Sequence, residues 1–226
     1  MVTEKKRYKN FMSRSIPFEI NETYHVYNRG IEKRVTFESE PDYIRMMLLL
    51  LVANSSHPVT IRNLLRNYQG RTLVQLAKIF KEEVPEDKIV DVLAYCLMPN
   101  HIHLVLSQRV EGGISKYLQK VLTAYTMYFN KKYERTGVLF QGTTKSQHID
   151  DESQYLHIFD YVHKNPISLI QSDWKEKGVR DKKKVLTFLE EYQYGSYRDF
   201  TNEKSVTRSI LALNEIENLD NIKLRL

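Results

Sequence analysis

Residues 89–106 read Ile89-Val90-Asp91-Val92-Leu93-Ala94-Tyr95-Cys96-Leu97-Met98-Pro99-Asn100-His101-Ile102-His103-Leu104-Val105-Leu106, and this stretch decides the fold. The run up to Met98 is almost continuously apolar, as expected of a strand buried on both faces. Pro99-Asn100 makes a turn, and His101 to Ser107 returns antiparallel to the first run. Strand side chains alternate between faces, so His101 and His103 point the same way while Ile102, Leu104 and Leu106 point into a core. Two imidazoles side by side on a rigid strand are half of a metal site.

Outward from this hairpin, Thr23 to Gly30 alternates and ends in a glycine turn, which predicts a strand. His25 on that strand reads as a packed histidine. Glu40 to Asn54 has helical character, with Pro41 suited to the first turn and Tyr43, Met46, Met47 and Leu50 sharing one face. Ile61, Leu64 and Leu65, then Leu73, Leu76, Ala77 and Phe80, predict two short helices inserted before the hairpin. After it, Gly112-Gly113 opens a long helix from Ile114 to about Arg135, which buries Ile114, Tyr117, Leu118, Val121, Leu122, Tyr125 and Phe129. Val138 to Ile149 reads as a strand, and Asp150-Asp151-Glu152-Ser153 as the start of a helix over Gln154 to Lys164 that ends at Asn165-Pro166. The order strand, helix, insertion, two strands, helix, strand, helix predicts an α+β fold. Its centre is a ferredoxin-like βαββαβ core with an antiparallel sheet, a helical insertion and a C-terminal helical extension. The expected division is a basic arm over 1–20, a catalytic domain over 21–166 with the insertion at about 55–87, and an extension over 167–226.

On the helix that follows the last strand, Tyr161 and Asn165 stand four apart and share a face. If that face packs beside the histidine strand, Asn165 offers its amide oxygen as a third ligand and Tyr161 presents its hydroxyl beside the cation. Two imidazoles and an amide oxygen suit Mg²⁺ or Mn²⁺ and leave positions open for substrate oxygens. A tyrosine hydroxyl is a poor nucleophile unless a cation polarises its target, and attack on a phosphodiester would give a covalent phosphotyrosine. That linkage conserves the ester, so strand transfer rather than hydrolysis is the natural outcome. Tyr155, Tyr125, Tyr128 and Tyr133 are rival nucleophiles, but only Tyr161 has the asparagine one turn on.

Composition agrees with a polyanionic partner. The formal net charge is +6 and the chain holds fifteen tyrosines, and aromatic residues interleaved with Lys and Arg suit single-stranded nucleic acid. The single cysteine, Cys96, excludes a disulfide scaffold and predicts a reducing, cytoplasmic setting. The apolar run Leu48 to Ala53 is too short to span a membrane.

Three ordered segments carry a specific resemblance: Met98-Pro99-Asn100-His101-Ile102-His103, then Gly137-Val138-Leu139-Phe140-Gln141-Gly142, then Tyr161-Val162-His163-Lys164-Asn165-Pro166. Together with Gly195-Ser196-Tyr197-Arg198-Asp199, they resemble the single-tyrosine HUH transposases, with the REP-associated tyrosine transposase branch nearest. The resemblance spans roughly residues 20 to 200. It implies that His101 and His103 are the HUH metal ligands, Tyr161 the nucleophile and Asn165 the additional ligand. It further implies a single-stranded DNA substrate with a hairpin, cut to leave a 5′-phosphotyrosine and a free 3′-OH, with Mg²⁺ or Mn²⁺ as cofactor. Expected DNA contacts are Arg29, Arg34, Gln141 and Lys145. A nucleoid-associated bacterial protein, monomeric in preference to dimeric, follows from the same branch. Two other readings stay open: a domesticated hairpin-binding protein without catalysis, and a relaxase-like or replication-initiator-like HUH nickase.

Overall fold

The computed structural model describes residues 17–57, 72–216, 222, 224 and 226. Most of the expected basic arm and the first inserted helix, with Ile61, Leu64 and Leu65, lie outside the described residues. Four strands form one sheet: β1 (Thr23–Arg29), β2 (Val90–Met98), β3 (His101–Gln108) and β4 (Lys145–Ile149), in the order β2-β3-β1-β4. Every neighbouring pair is antiparallel. The hairpin partner β3 therefore sits between β1 and β2, which is the ferredoxin-like topology expected of the sequence.

The crossovers place α1 (Glu40–Val52) and α3 (Gly113–Lys132) on one face of the sheet. There they bury Tyr24, Val26, Ile102, Leu104 and Leu106. Within the expected insertion, the second short helix is present as α2 (Ala77–Glu82), which buries Ile79 and Phe80. The opposite face is covered by α4 (Glu152–Lys164), whose Ile158, Phe159 and Val162 pack on Leu93, Cys96, Met98 and Val105. With helices on both sides, all of β2 is buried, which is why its sequence lacks alternation. Helix α1 goes beyond the one buried face read from its spacing: everything from Met46 to Val52 is buried. It lies between the sheet, α3 and the C-terminal segment, so no side is left for solvent.

The strand expected from Val138 begins late. Phe140 makes only an isolated bridge to Gly30, Gly142 turns the chain at φ 53°, and regular pairing with β1 starts at Lys145. A positive φ of this kind is routine for glycine and breaks a ladder.

Beyond α4 the chain passes through α5 (Trp174–Lys177), α6 (Lys182–Glu191) and α7 (Tyr197–Thr201) and returns to the outer side of β2. Leu97 N–H donates to the Tyr194 carbonyl and Ser196 N–H to the Tyr95 carbonyl, each at 2.9 Å, and Ala212 N–H reaches the Val92 carbonyl at 2.9 Å. Among the described residues no helix is long and apolar enough to cross a membrane.

Candidate active site

The site stands where β1, β3 and α4 meet. Cross-strand pairing sets Arg29 opposite His101, Tyr27 opposite His103, and Lys145 opposite Tyr27. Directly opposed residues share a face, so His25, Tyr27, Arg29, His101, His103 and Lys145 form one field on the α4 side of the sheet. A close approach fixes the end of β1: a Cβ on Gly30 would stand 2.3 Å from the Arg34 carbonyl oxygen, and Gly30 N–H donates to the Asn100 carbonyl at 2.8 Å. The turn after β1 is thereby locked against the turn that launches the histidine strand.

Helix α4 starts where the acidic cluster predicts, with the Asp151 side chain accepting from Gln154 N–H at 2.8 Å. Its apolar stripe faces the sheet and carries Tyr161, half-buried, over the imidazoles. The Tyr161 ring lies 5.6 Å from the His103 ring and 5.7 Å from the His25 ring, both edge to face. Asn165, one turn on, is buried, and its amide nitrogen donates to the Tyr161 carbonyl at 2.8 Å. The rival tyrosines are elsewhere. Tyr155 packs on Phe159, Tyr125 is buried and donates to the Thr36 carbonyl, and Tyr128 and Tyr133 donate to Asp42.

The histidine nitrogens are sorted by their neighbours. His101 Nδ1 lies 2.7 Å from the Asn100 amide oxygen, which can only accept, so Nδ1 carries the proton and Nε2 keeps a lone pair. His103 Nδ1 lies 2.9 Å from His25 Nε2, and the two rings lie side by side, their planes 11° apart and their centres 5.1 Å apart. Burial lowers the pKa of His101 to about 4, helped by the positive charges of Arg29 and Lys175. Burial, then His25, His101 and Lys175, push His103 well below the ordinary histidine range. Both rings are therefore neutral at neutral pH, the form that binds a cation. Burial, then Tyr27 and Cys96, raises the Tyr161 pKa, so the free protein holds it as the phenol.

Among the described residues no three His, Cys, Asp or Glu side chains gather as a metal cluster. The donors present are two neutral imidazoles and one amide. That set fits a borderline divalent ion such as Mn²⁺, and Mg²⁺ when oxygens complete the shell.

The expected DNA contacts fall in two groups. Arg29 and Lys145 are exposed on the histidine field. Gln141 is exposed beside the end of β1, its N–H donating to the Arg29 carbonyl at 2.7 Å. Arg34 is exposed and stands beside Arg135. Sequence reasoning missed Lys175, whose ammonium lies 4.8 Å from the centre of the Tyr161 ring. It also undervalued His25, although alternation along β1 already puts His25, Tyr27 and Arg29 on one side.

The family model described as "Transposase IS200 like" matches residues 54–165, from the end of α1 through both histidines and Tyr161 to Asn165. Over that span the chain is similar to the IS200-like transposases. Among solved structures, the chain is similar to a REP-associated tyrosine transposase bound to a REP hairpin. Identity there is 14% and the TM-score 0.45, over 84% of this chain and 86% of that one. It is also similar to a Deinococcus radiodurans R1 protein described as a transposase, at 14% identity and TM-score 0.28, over 67% of this chain and 95% of that one. No curated protein matches the sequence significantly.

Proposed function

We propose that this protein is a transposase of the REP-associated branch, a metal-dependent endonuclease and strand transferase for single-stranded, hairpin-containing DNA. Tyr161 is its nucleophile, and His101, His103 and Asn165 hold Mg²⁺ or Mn²⁺. The observation that carries this reading is the meeting of Tyr161 with the histidine strand across sixty residues of sequence, ring to ring at 5.6 Å. Its placement against the neutral imidazole of His103 is what a tyrosine needs to act on a metal-held phosphodiester, and a merely structural tyrosine does not need it.

In that reading the Tyr161 oxygen forms a bond to phosphorus as the bond from phosphorus to the 3′ oxygen breaks. The phenolic proton is released, and a proton ends on the 3′ hydroxyl. His101, His103 and Asn165 would hold the divalent cation, which would polarise the phosphoryl oxygens and stabilise the developing charge. The chain's own residues do the rest. Packing of α4 on Met98 and Val105 fixes the angle of the Tyr161 ring, and Lys175 over that ring is placed to meet a non-bridging phosphate oxygen. Arg29 and Lys145 continue the positive field along the sheet, and Tyr27 between them offers a stacking surface for a base. The catalytic domain in this account is residues 21–166, and the extension over 167–226 contributes Lys175.

The test is incubation with labelled single-stranded hairpin DNA and Mn²⁺ on a denaturing gel, beside Tyr161→Phe. A slow covalent band with the parent and none with the variant is expected. Binding with no covalent band in either metal across a wide hairpin library would refute catalysis and leave a hairpin-binding protein.

A further inference from the structure

Outside the three-ligand set stand a cleft lined by Lys81, Asp91, Arg109 and Lys204, the buried Asp199 group, and His25. The cleft mixes both charges, with Arg109 already paired to Asp91 at 2.7 Å, and Asp199 is satisfied by Tyr95, Ser205 and Thr207. His25 differs, because its Nε2 pairs with the residue proposed to bind the cation.

We propose that His25 is a positioning residue that fixes the tautomer and ring angle of His103, accepting a hydrogen bond from His103 Nδ1–H so that His103 Nε2 faces the cation. This rests on the metal reading given above. The chemistry is forced once His103 binds through Nε2: a neutral imidazole with one ligating nitrogen carries its proton on the other, so Nδ1 is the donor and His25 Nε2 the acceptor. His25 is 5% exposed and lies on β1, 78 residues from its partner, with water largely excluded from the pair. Its ring is hemmed in by neighbours: Tyr27 lies near-parallel at 5.2 Å, His103 lies side by side with it at 5.1 Å, and Tyr161 meets it at 5.7 Å, edge to face. A side chain so constrained cannot swing away, and it transmits that constraint to His103. His101 is served in the same way by the neighbouring Asn100 amide oxygen. Each imidazole thus has its own acceptor behind it, one local and one brought in from β1. Acceptors of this kind raise ligand basicity and set ring orientation.

The experiment compares wild type, His103→Ala, His25→Phe and His25→Gln by Mn²⁺ titration, following the free-ion signal in electron paramagnetic resonance without DNA. Phenylalanine keeps a stacked ring and removes the acceptor, whereas glutamine removes the ring and keeps an acceptor oxygen. His25→Phe is expected to weaken Mn²⁺ binding by about 10–100-fold, the range typical of lost outer hydrogen bonds to ligating histidines, while His25→Gln recovers most of it. Thermal melts in EDTA establish that the variants are folded, and His25→Leu replaces phenylalanine if the larger ring does not fit. Unchanged binding in the acceptor-free variant, or glutamine as weak as phenylalanine, overturns the proposal. Mn²⁺ binding that survives His103→Ala overturns the metal reading itself, an outcome the two His25 variants cannot imitate.

Discussion

Ser196→Ala probes how the helix that carries Tyr161 is tied to the sheet. The Ser196 side chain is fully buried and stands at a three-way junction. Its oxygen accepts from Tyr95 N–H at 2.9 Å and lies 3.0 Å from His163 Nε2 and 3.1 Å from the Tyr95 carbonyl. Burial lowers the His163 pKa to about 3, so the ring is neutral. Removing the hydroxyl leaves a buried backbone donor and a buried imidazole nitrogen without this partner. Each such loss costs about 1–3 kcal/mol, and allowing for relaxation the pair should cost about 2–4 kcal/mol. In a chain of this size that corresponds to a melting temperature lower by roughly 5–15 °C. Urea unfolding at pH 7.5, read by circular dichroism and tryptophan fluorescence, gives the number directly. Because His163 is two residues from Tyr161, covalent adduct formation should also slow in Ser196→Ala at temperatures where the protein is still folded. A destabilisation below about 0.5 kcal/mol, within the range of ordinary surface changes, would refute the reasoning.

Further outcomes follow from the same geometry. Stability in EDTA should fall as pH drops from about 6.5 toward 4. His25, lowered by burial to about 4, and His163 stay neutral in the folded chain while the unfolded chain takes up protons below 6.5. The slope should approach about 1.4 kcal/mol per pH unit per histidine, and a flat urea-derived stability between pH 6.5 and 4.5 would contradict the burial of both rings. Lys175→Ala should weaken single-stranded DNA binding and reduce the slope of log affinity against log salt by about one, with little change in melting temperature; an unchanged slope would remove Lys175 from the phosphate path. Asn165→Leu should lower Mn²⁺ affinity while Tyr161→Phe leaves it near wild type, measured by the same titration, since only the first removes a donor. Asp42→Ala should destabilise by more than 3 kcal/mol in chemical unfolding, because Lys132, Tyr128 and Tyr133 all donate to that fully buried carboxylate.

Local pattern made much of this molecule legible. Continuous apolarity gave β2, the Pro99-Asn100 turn gave the hairpin, and the i, i+4 pair singled out Tyr161 with Asn165. These are short-range signals, read from period and turn chemistry. The features that escaped depend on long-range register. His25 meets His103 because β1 pairs with β3 with His25 opposite Val105, and nothing near His25 in the chain announces that partner. Lys175 arrives over Tyr161 from an exposed four-residue helix whose placement depends on the path after Pro166. The late start of β4 has a different origin: the apolar Val138-Leu139-Phe140 reads as strand, but Leu139 and Phe140 are buried in the helix-side core, so their hydrophobicity serves packing and not a ladder.

The return of the chain along β2 also decides how this sheet can meet other strands. Residues 194–196 and Ala212 take up backbone groups that an outermost strand would otherwise leave unpaired, so β2 is sealed against edge-to-edge addition. On the other flank β4 faces no described strand, and it is short, with Lys145, Ser146 and Gln147 exposed. A second copy therefore cannot extend the sheet symmetrically through β2, and any strand-wise joining is directed to a polar, lysine-bearing border that lies alongside Tyr27 and the histidine field.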